Sequence, residues 1–332
     1  MFLALAGCTS PDAPMDDPQR SGAPPIAGCT YTSWDSAGFR TGATTGAMAE
    51  MVMQTAAAWV MICVTEYHNA TTDVIAPDAQ GTSTEEDLRA AIAEAHGRGL
   101  KVLLTPHVDT YTGAWRASMA PTDAWFRSYE QFIRKYAQLA RATQCEMFCI
   151  GTELVRATQP QYDARWRTMI AAIRADYNGP LTYAANWNGY PQYGVVLDEY
   201  EQITFWSALD YIGIDWYAPY GAFTDRYNRI HELSVATGVP VILTETGCPS
   251  VDGALQRPWD YTTLITAGNA VSESAQRTYY DAVIHSFGKA AWCKGVFWWN
   301  WESIPSAQEA KQYTPRNKSA APLVKAFYQG AV

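Results

Sequence analysis

Two glutamates close strongly apolar runs, a setting in which carboxylates are candidates for acid–base or nucleophilic chemistry. In FCIGTELV (148–155) the run ends on Gly151, Thr152 and Glu153, and in PVILTETG (240–247) Val241, Ile242 and Leu243 lead into Glu245. Other acids also fall near the ends of apolar runs, at Glu66, Asp109, Asp215 and Glu302, so position alone does not select the pair. A metal centre would need ligand spacing. The histidines His68, His96, His107, His231 and His285 offer no HxH pair and no HExxH, and only His107 and Asp109 lie together at a strand end, so no metal is expected. A serine nucleophile would need a GxSxG elbow, which is missing. Two-carboxylate chemistry stays open, with the pair not singled out by position.

Such chemistry needs a rigid frame. Eight short apolar runs read as strands: 26–34, 58–64, 101–109, 146–154, 181–187, 211–217, 240–247 and 295–301. Between them lie helical segments. In STEEDLRAAIAEAHGRG (83–99), Ser83 or Thr84 caps the start, Glu85, Glu86 and Asp87 favour the first turn, and Gly97 or Gly99 marks the end. The segment 123–143 repeats apolar residues at helical spacing through Trp125, Phe126, Phe132, Ile133, Tyr136 and Leu139. Apolar strands alternating with helices predict a parallel sheet covered on its outer side, and eight units predict a single (β/α)8 TIM barrel over residues 26–332. A barrel that spends about 31 residues per unit separates equivalent positions three units apart by about 93. Glu153 and Glu245 stand 92 positions apart, so both should reach the carboxyl-terminal face. The loop 248–272, with Arg257, Pro258, Trp259 and Tyr261, should overhang that face. A doubly wound open sheet is the rival architecture, but no GxGxxG or P-loop motif follows any strand.

Composition narrows the partners. The net charge of −9 and pI near 5.1 argue against nucleic acid, which is held by clustered Lys and Arg. Thirteen Trp and 20 Tyr offer flat aromatic faces suited to sugar rings, or simply large core side chains. At the start, MFLALAGC resembles a bacterial lipobox, which makes Cys8 a candidate for lipidation and the chain an exported lipoprotein held at the cell envelope or surface. The Pro-, Asp-, Ser- and Gly-rich residues up to 25 then form a flexible tether. No later run offers the roughly 20 apolar residues of a membrane span, so any membrane contact is through this lipid. The six remaining cysteines, Cys29, Cys63, Cys145, Cys149, Cys248 and Cys293, lack CxxC spacing and read as buried small hydrophobes. Export would permit disulfides among them, with the pairing open.

The motifs IGTEL, DYIGIDWYAPY, TETG and GVFWWNW, in this order and spacing, resemble the clan A glycoside hydrolases, and most of all the family 113 β-mannanases. AAIAEAHGRGLKVLLTPHVD and the following GAWRASM extend the resemblance, which runs from about Gly28 to Trp301. It implies a retaining hydrolase without a cofactor, acting on a β-linked polysaccharide or oligosaccharide, with β-1,4-mannan the first choice. By the same resemblance Glu153 is the acid/base, Glu245 the nucleophile, and Tyr217 the phenol that hydrogen-bonds the nucleophile. Much of the clan has Asn before the acid/base. This chain has Thr152, as the family often does, which leaves Asn186 as a candidate donor to the substrate 2-hydroxyl. Trp299 matches the tryptophan beneath the sugar at the cleavage point. Trp298 and Trp301 are alternatives, because successive strand residues face opposite ways. Trp34, Trp115, Trp187, Trp216 and Trp259 are candidates for further sugar stacking, and His107 for binding a hydroxyl. The mechanism implies a raised pKa at Glu153 and an ionised Glu245. Two other readings stay open: the same mechanism on another β-glycan, and a non-catalytic glycan-binding surface lipoprotein.

Overall fold

The computed structural model describes residues 19–332, so Cys8 and the first part of the tether lie outside the described residues. The strands are β1 (Ile26–Thr32), β2 (Trp59–Asn69), β3 (Val74–Ala76), β4 (Lys101–Thr110), β5 (Met147–Thr152), β6 (Leu181–Asn186), β7 (Tyr211–Trp216), β8 (Val241–Thr246) and β9 (Cys293–Glu302). All but β3 run parallel in sequence order, and β1 pairs with both β2 and β9, which closes the sheet. The eight apolar runs are therefore the eight staves of a (β/α)8 barrel. β3 is an addition: β2 continues to Asn69 and pairs its tip antiparallel with β3.

The helices are α1 (Gly38–Thr45), α2 (Ala47–Thr55), α3 (Glu85–Gly97), α4 (Asp123–Ala142), α5 (Asp163–Asp176), α6 (Glu199–Gln202), α7 (Phe223–Thr237), α8 (Thr263–Thr266), α9 (Glu273–Val283) and α10 (Ala320–Tyr328). Thr84 rather than Ser83 caps α3, its hydroxyl accepting from the Asp87 amide, and Gly99 takes the left-handed conformation just beyond the end. α4 begins at Asp123 as expected, with Thr122 as cap, and buries Trp125, Phe126, Tyr129, Phe132, Ile133 and Tyr136 along one face.

Inside the barrel, Ile26, Trp59, Met61, Leu103, Met147, Ile242 and Phe297 fill the lower layers. Gly28 makes room for the Phe297 ring, since a Cβ there would lie 2.3 Å from it. The barrel is thus a packed post, open only at the carboxyl-terminal mouth. All six described cysteines are buried and free.

The tether is shorter than expected. Gln19 bridges Ala290, the Arg20 amide donates to the Lys289 carbonyl, and the Arg20 guanidinium donates to the carbonyls of Gly288 and Cys293. Residues 19–25 are therefore docked at the amino-terminal end of β9. A composition rich in Pro and Gly signals weak core-forming capacity, but one arginine finding unpaired carbonyls is enough to hold such a segment.

Candidate active site

Glu153 and Glu245 reach the mouth by the same local device. From Cys149 to Thr152, β5 takes three steps where β6 takes two, Thr182 to Ala184. On β8 the step from Leu243 to Glu245 faces the single step from Ile214 to Asp215 on β7. Each strand thus carries a bulge directly before its glutamate, and a bulge re-aims the next side chain. Glu153 itself has φ +51°, in the left-handed region. Its amide donates to the Ala184 carbonyl at 2.9 Å.

The surroundings of the two carboxyls differ. Glu153 receives an N–H at each oxygen, the Trp115 indole at 3.0 Å on Oε2 and the Asn186 amide on Oε1. Glu245 receives the Tyr217 hydroxyl at 2.9 Å on Oε2, and His107 Nε2 stands 3.9 Å from Oε1. Burial, then the charge of Glu153, pushes the Glu245 carboxyl from its ordinary 4.5 up to about 8, against the pull of Arg116 and Tyr217. Burial therefore acts on Glu245, the group from which an ionised state was expected. Glu245 lies within β8 opposite Asp215 of β7, where it is 6% exposed, whereas Glu153 lies just beyond the end of β5.

Three further charged or titratable groups complete the cluster. Asp215 is fully buried beside Glu245, with the Thr244 hydroxyl donating to Oδ1 at 2.7 Å and no partner among the described residues for Oδ2. Burial, Glu245 and Glu153 hold its carboxyl well above the usual range. Arg116 donates to Asp109 through Nε and Nη2 at 3.1 and 2.8 Å. Burial opposes its charge, but Asp109, Glu153 and Glu245 outweigh that and keep the guanidinium protonated. His107 is buried and neutral, its pKa driven down by burial and by Arg116.

Aromatic rings wall this cluster. Trp299 lies nearly parallel to His107, at 6.3 Å between centroids, and meets Trp34 edge-on at 6.1 Å. Trp187 packs against Trp259 at 5.4 Å and carries the Arg226 guanidinium 4.9 Å from its ring. Trp115 meets Tyr190 at 4.5 Å on the Glu153 side. The most exposed aromatic side chains, Trp34, Tyr111, Trp259 and Tyr261, all follow the carboxyl-terminal ends of barrel strands.

Three tryptophans expected at the site are elsewhere. Trp216 packs between Phe223 and Phe287, Trp298 stacks on Tyr280 at 4.1 Å, and Trp301 lies beneath the Arg316 guanidinium. All three are fully buried in the layer between strands and helices, where no sugar reaches. Strand alternation turns Trp216 and Trp298 outward. Trp301 follows because β9 gains one residue against β1, from Trp298 to Trp301 opposite Cys29 to Tyr31.

The sequence profile described as Glycoside Hydrolase Family 113 matches residues 30–318. The chain belongs to glycoside hydrolase family 113. The hydrolase is similar to a solved GH113 β-1,4-mannanase complex at 26% identity and a TM-score of 0.82, and to another GH113 β-1,4-mannanase structure at 28% and 0.81. A third likeness is the GH113 β-mannanase from Alicyclobacillus acidocaldarius in complex with ManMIm, at 29% and 0.78. Each match covers 92% of this chain and 98% of the other. A β-glucuronidase from Ruminococcus gnavus, 13% identical with a TM-score of 0.59, shares the fold alone, over 91% of this chain and 49% of its own. No curated protein matches.

Sequence reasoning left some of the hydrolase's site without a role. Arg116 was visible only inside GAWRASM, and Tyr190, whose hydroxyl donates to Asn186 Oδ1 at 3.0 Å, lies in a loop with no motif of its own. Asn186, proposed as a donor to substrate, spends its amide N–H on Glu153.

Proposed function

We propose that the hydrolase cleaves β-1,4-mannan with retention of configuration, using Glu245 as nucleophile and Glu153 as acid/base. The observation that carries this reading is the single charged cluster at the barrel mouth, in which Tyr217 donates to Glu245 while Trp115 and Asn186 hold Glu153. In the first step a Glu245 oxygen bonds to the anomeric carbon as the glycosidic C–O bond breaks, and Glu153 gives its proton to the departing oxygen. Water then enters and gives a proton to Glu153 as its oxygen attacks the anomeric carbon, and Glu245 leaves as a carboxylate. The productive form has Glu245 as a carboxylate and the transferable proton on Glu153. Trp299 supplies the apolar floor for the sugar, and neutral His107 has a buried Nε2 free of other partners with which to meet a hydroxyl. The exposed aromatics around the mouth, Trp34 and Trp259 among them, support a polymeric substrate that extends beyond the cleaved unit.

Reducing-sugar release should be measured on β-mannan, glucomannan, β-glucan, xylan and galactan, with Glu153→Gln and Glu245→Gln alongside. Mannan should be the preferred polymer, and both variants should lose its hydrolysis. Proton NMR of early product should show the β-anomer first; the α-anomer would refute retention. We also propose that Cys8 carries a lipid. The lipobox-like run MFLALAGC supports this. Mass spectrometry of the membrane fraction that finds an unmodified Cys8 would remove the anchor.

A further inference from the structure

Behind the Glu153 arm lies a carboxylate that the proposed reaction does not touch. Glu199, the first residue of α6, is fully buried. Its Oε1 accepts the Tyr183 hydroxyl at 2.7 Å and the Thr158 hydroxyl at 2.9 Å, and its Oε2 accepts the Asn186 amide of the main chain at 2.7 Å. Each of these donors leads to Glu153. The Tyr183 hydroxyl also accepts the main-chain N–H of Leu154, the residue directly after Glu153, at 2.8 Å. Asn186, held by its own N–H on Glu199, places its side-chain amide on Glu153 Oε1. Thr158 closes the turn that follows, and Gln202 donates to both Thr158 Oγ1 and the Val155 carbonyl.

This arrangement answers a local difficulty. A non-glycine residue with φ +51° is in a sparsely populated conformation, which persists only where its surroundings over-determine it. The residues on either side supply that restraint. Gly151 lets the Tyr183 ring and the Tyr129 hydroxyl approach to within 2.7 and 2.8 Å of where a Cβ would lie, and Tyr129 in turn donates to the Ile150 carbonyl at 2.8 Å. The Tyr183 hydroxyl so placed is the acceptor that fixes Leu154. Its lone pair accepts from Leu154 while its own proton is directed at Glu199, which orients the phenol. Glu199 therefore fixes both the backbone that presents Glu153 and the side chain that holds the Glu153 carboxyl.

We propose that Glu199 is the positioning residue of the acid/base: it sets the aim of Glu153 at the leaving oxygen by holding Tyr183 and Asn186 together. This rests on the acid/base reading of Glu153. The groups that face Glu199 are Tyr183 from β6 and, through charge, Glu153 beyond β5; Thr158 and the Asn186 N–H are its other partners. Burial pushes the Glu199 carboxyl up to about 8, against the pull of its three donors.

Leaving-group dependence tests this role. A mannooligosaccharide needs a proton on its departing sugar oxygen, whereas a 2,4-dinitrophenyl β-mannobioside departs without one. In Glu199→Gln, kcat/KM on mannohexaose should fall at least about tenfold, with less than about threefold loss on the dinitrophenyl substrate. Tyr183→Phe, which keeps Glu199 and removes the link to Leu154, should show the same split, and it serves as the second variant should Glu199→Gln fold poorly. Equal losses on both substrates would mean a merely structural carboxylate and would overturn the proposal, as would no loss on either. Glu153→Gln is measured beside them. If it shows the split and the Glu199 and Tyr183 variants do not, the positioning role alone fails; if Glu153→Gln shows no split, the acid/base reading fails and the positioning role goes with it.

Discussion

Replacing Glu245 by Gln should stabilise the folded hydrolase at neutral pH while it abolishes turnover. Glu245 is pushed from 4.5 in the ordinary case to about 8 in the fold. Between these values the folded chain keeps a proton that the unfolded chain has released, so stability falls as pH rises through the window. Below pH 4.5 both states are protonated and the penalty vanishes. At pH 7 the gap above 4.5 is about 2.5, which at about 1.36 kcal/mol each comes to about 3 kcal/mol. Sharing of the proton with Asp215 lowers this, to about 2 kcal/mol. Glutamine removes the charge and keeps an oxygen to accept from Tyr217, so little is lost in exchange. For a chain of this length the gain corresponds to a rise in Tm of about 3 °C. Thermal unfolding of parent and variant, followed from pH 4.5 to pH 8, reads it directly. A gain that is missing at pH 7, or as large at pH 4.5 as at pH 7, would refute the account of Glu245 as a buried carboxyl pushed upward.

The same shift sets the alkaline limb of activity: kcat/KM on mannan should fall above about pH 8, as the buried carboxyls around Glu245 lose the proton that the site retains, and a limb near pH 6 would contradict this. Tyr217→Phe removes a donor that holds Glu245 down, so it should move that limb to higher pH and cut kcat/KM by about 10- to 100-fold, the worth of a hydrogen bond to a charged group. The tryptophans should separate cleanly. Trp298→Ala should cost about 3 to 5 kcal/mol in chemical denaturation as a core cavity, whereas half-buried Trp299→Ala should unfold at nearly the parental midpoint and lose mannan hydrolysis. Gly28→Ala should lower stability by about 1 to 3 kcal/mol, since its methyl would overlap the Phe297 ring in the packed barrel interior.

The barrel was legible because its staves are buried on both faces and therefore appear as continuous apolar runs, whatever their phase. β5 and β8 are buried along their full lengths, and the lengths of the intervening units placed both glutamates at one end. The facing of individual side chains was harder, because it depends on phase. Alternation allowed only one of Trp298 and Trp299 to face the barrel mouth, and Trp299 is the one that lies against His107, yet nothing in GVFWWNW shows the extra residue that β9 inserts against β1. That insertion turns Trp301 to the outer layer, although it shares parity with Trp299. Glu199 was invisible for another reason: one acid at the start of the four-residue α6 carries no chemical pattern, and its importance comes only from Tyr183, Thr158 and Asn186 converging on it in space.

The difficulty of assigning how side chains face has one physical origin. β5, β8 and β9 each take an extra residue near the carboxyl-terminal mouth, and these are the strands that deliver Glu153, Glu245 and Trp299. A regular strand would leave its last residues alternating between the barrel interior and the helices. An added residue changes that phase where a carboxylate must be aimed, at the cost of a locally disrupted ladder. The disruption has to be made good by side chains, and the Tyr183 hydroxyl on the Leu154 amide is such a repair. Local rules therefore break at the site because the site is built from the departures. Removing a repair should change the aim of a carboxylate before it changes the fold, and this is the distinction that Tyr183→Phe puts to the test.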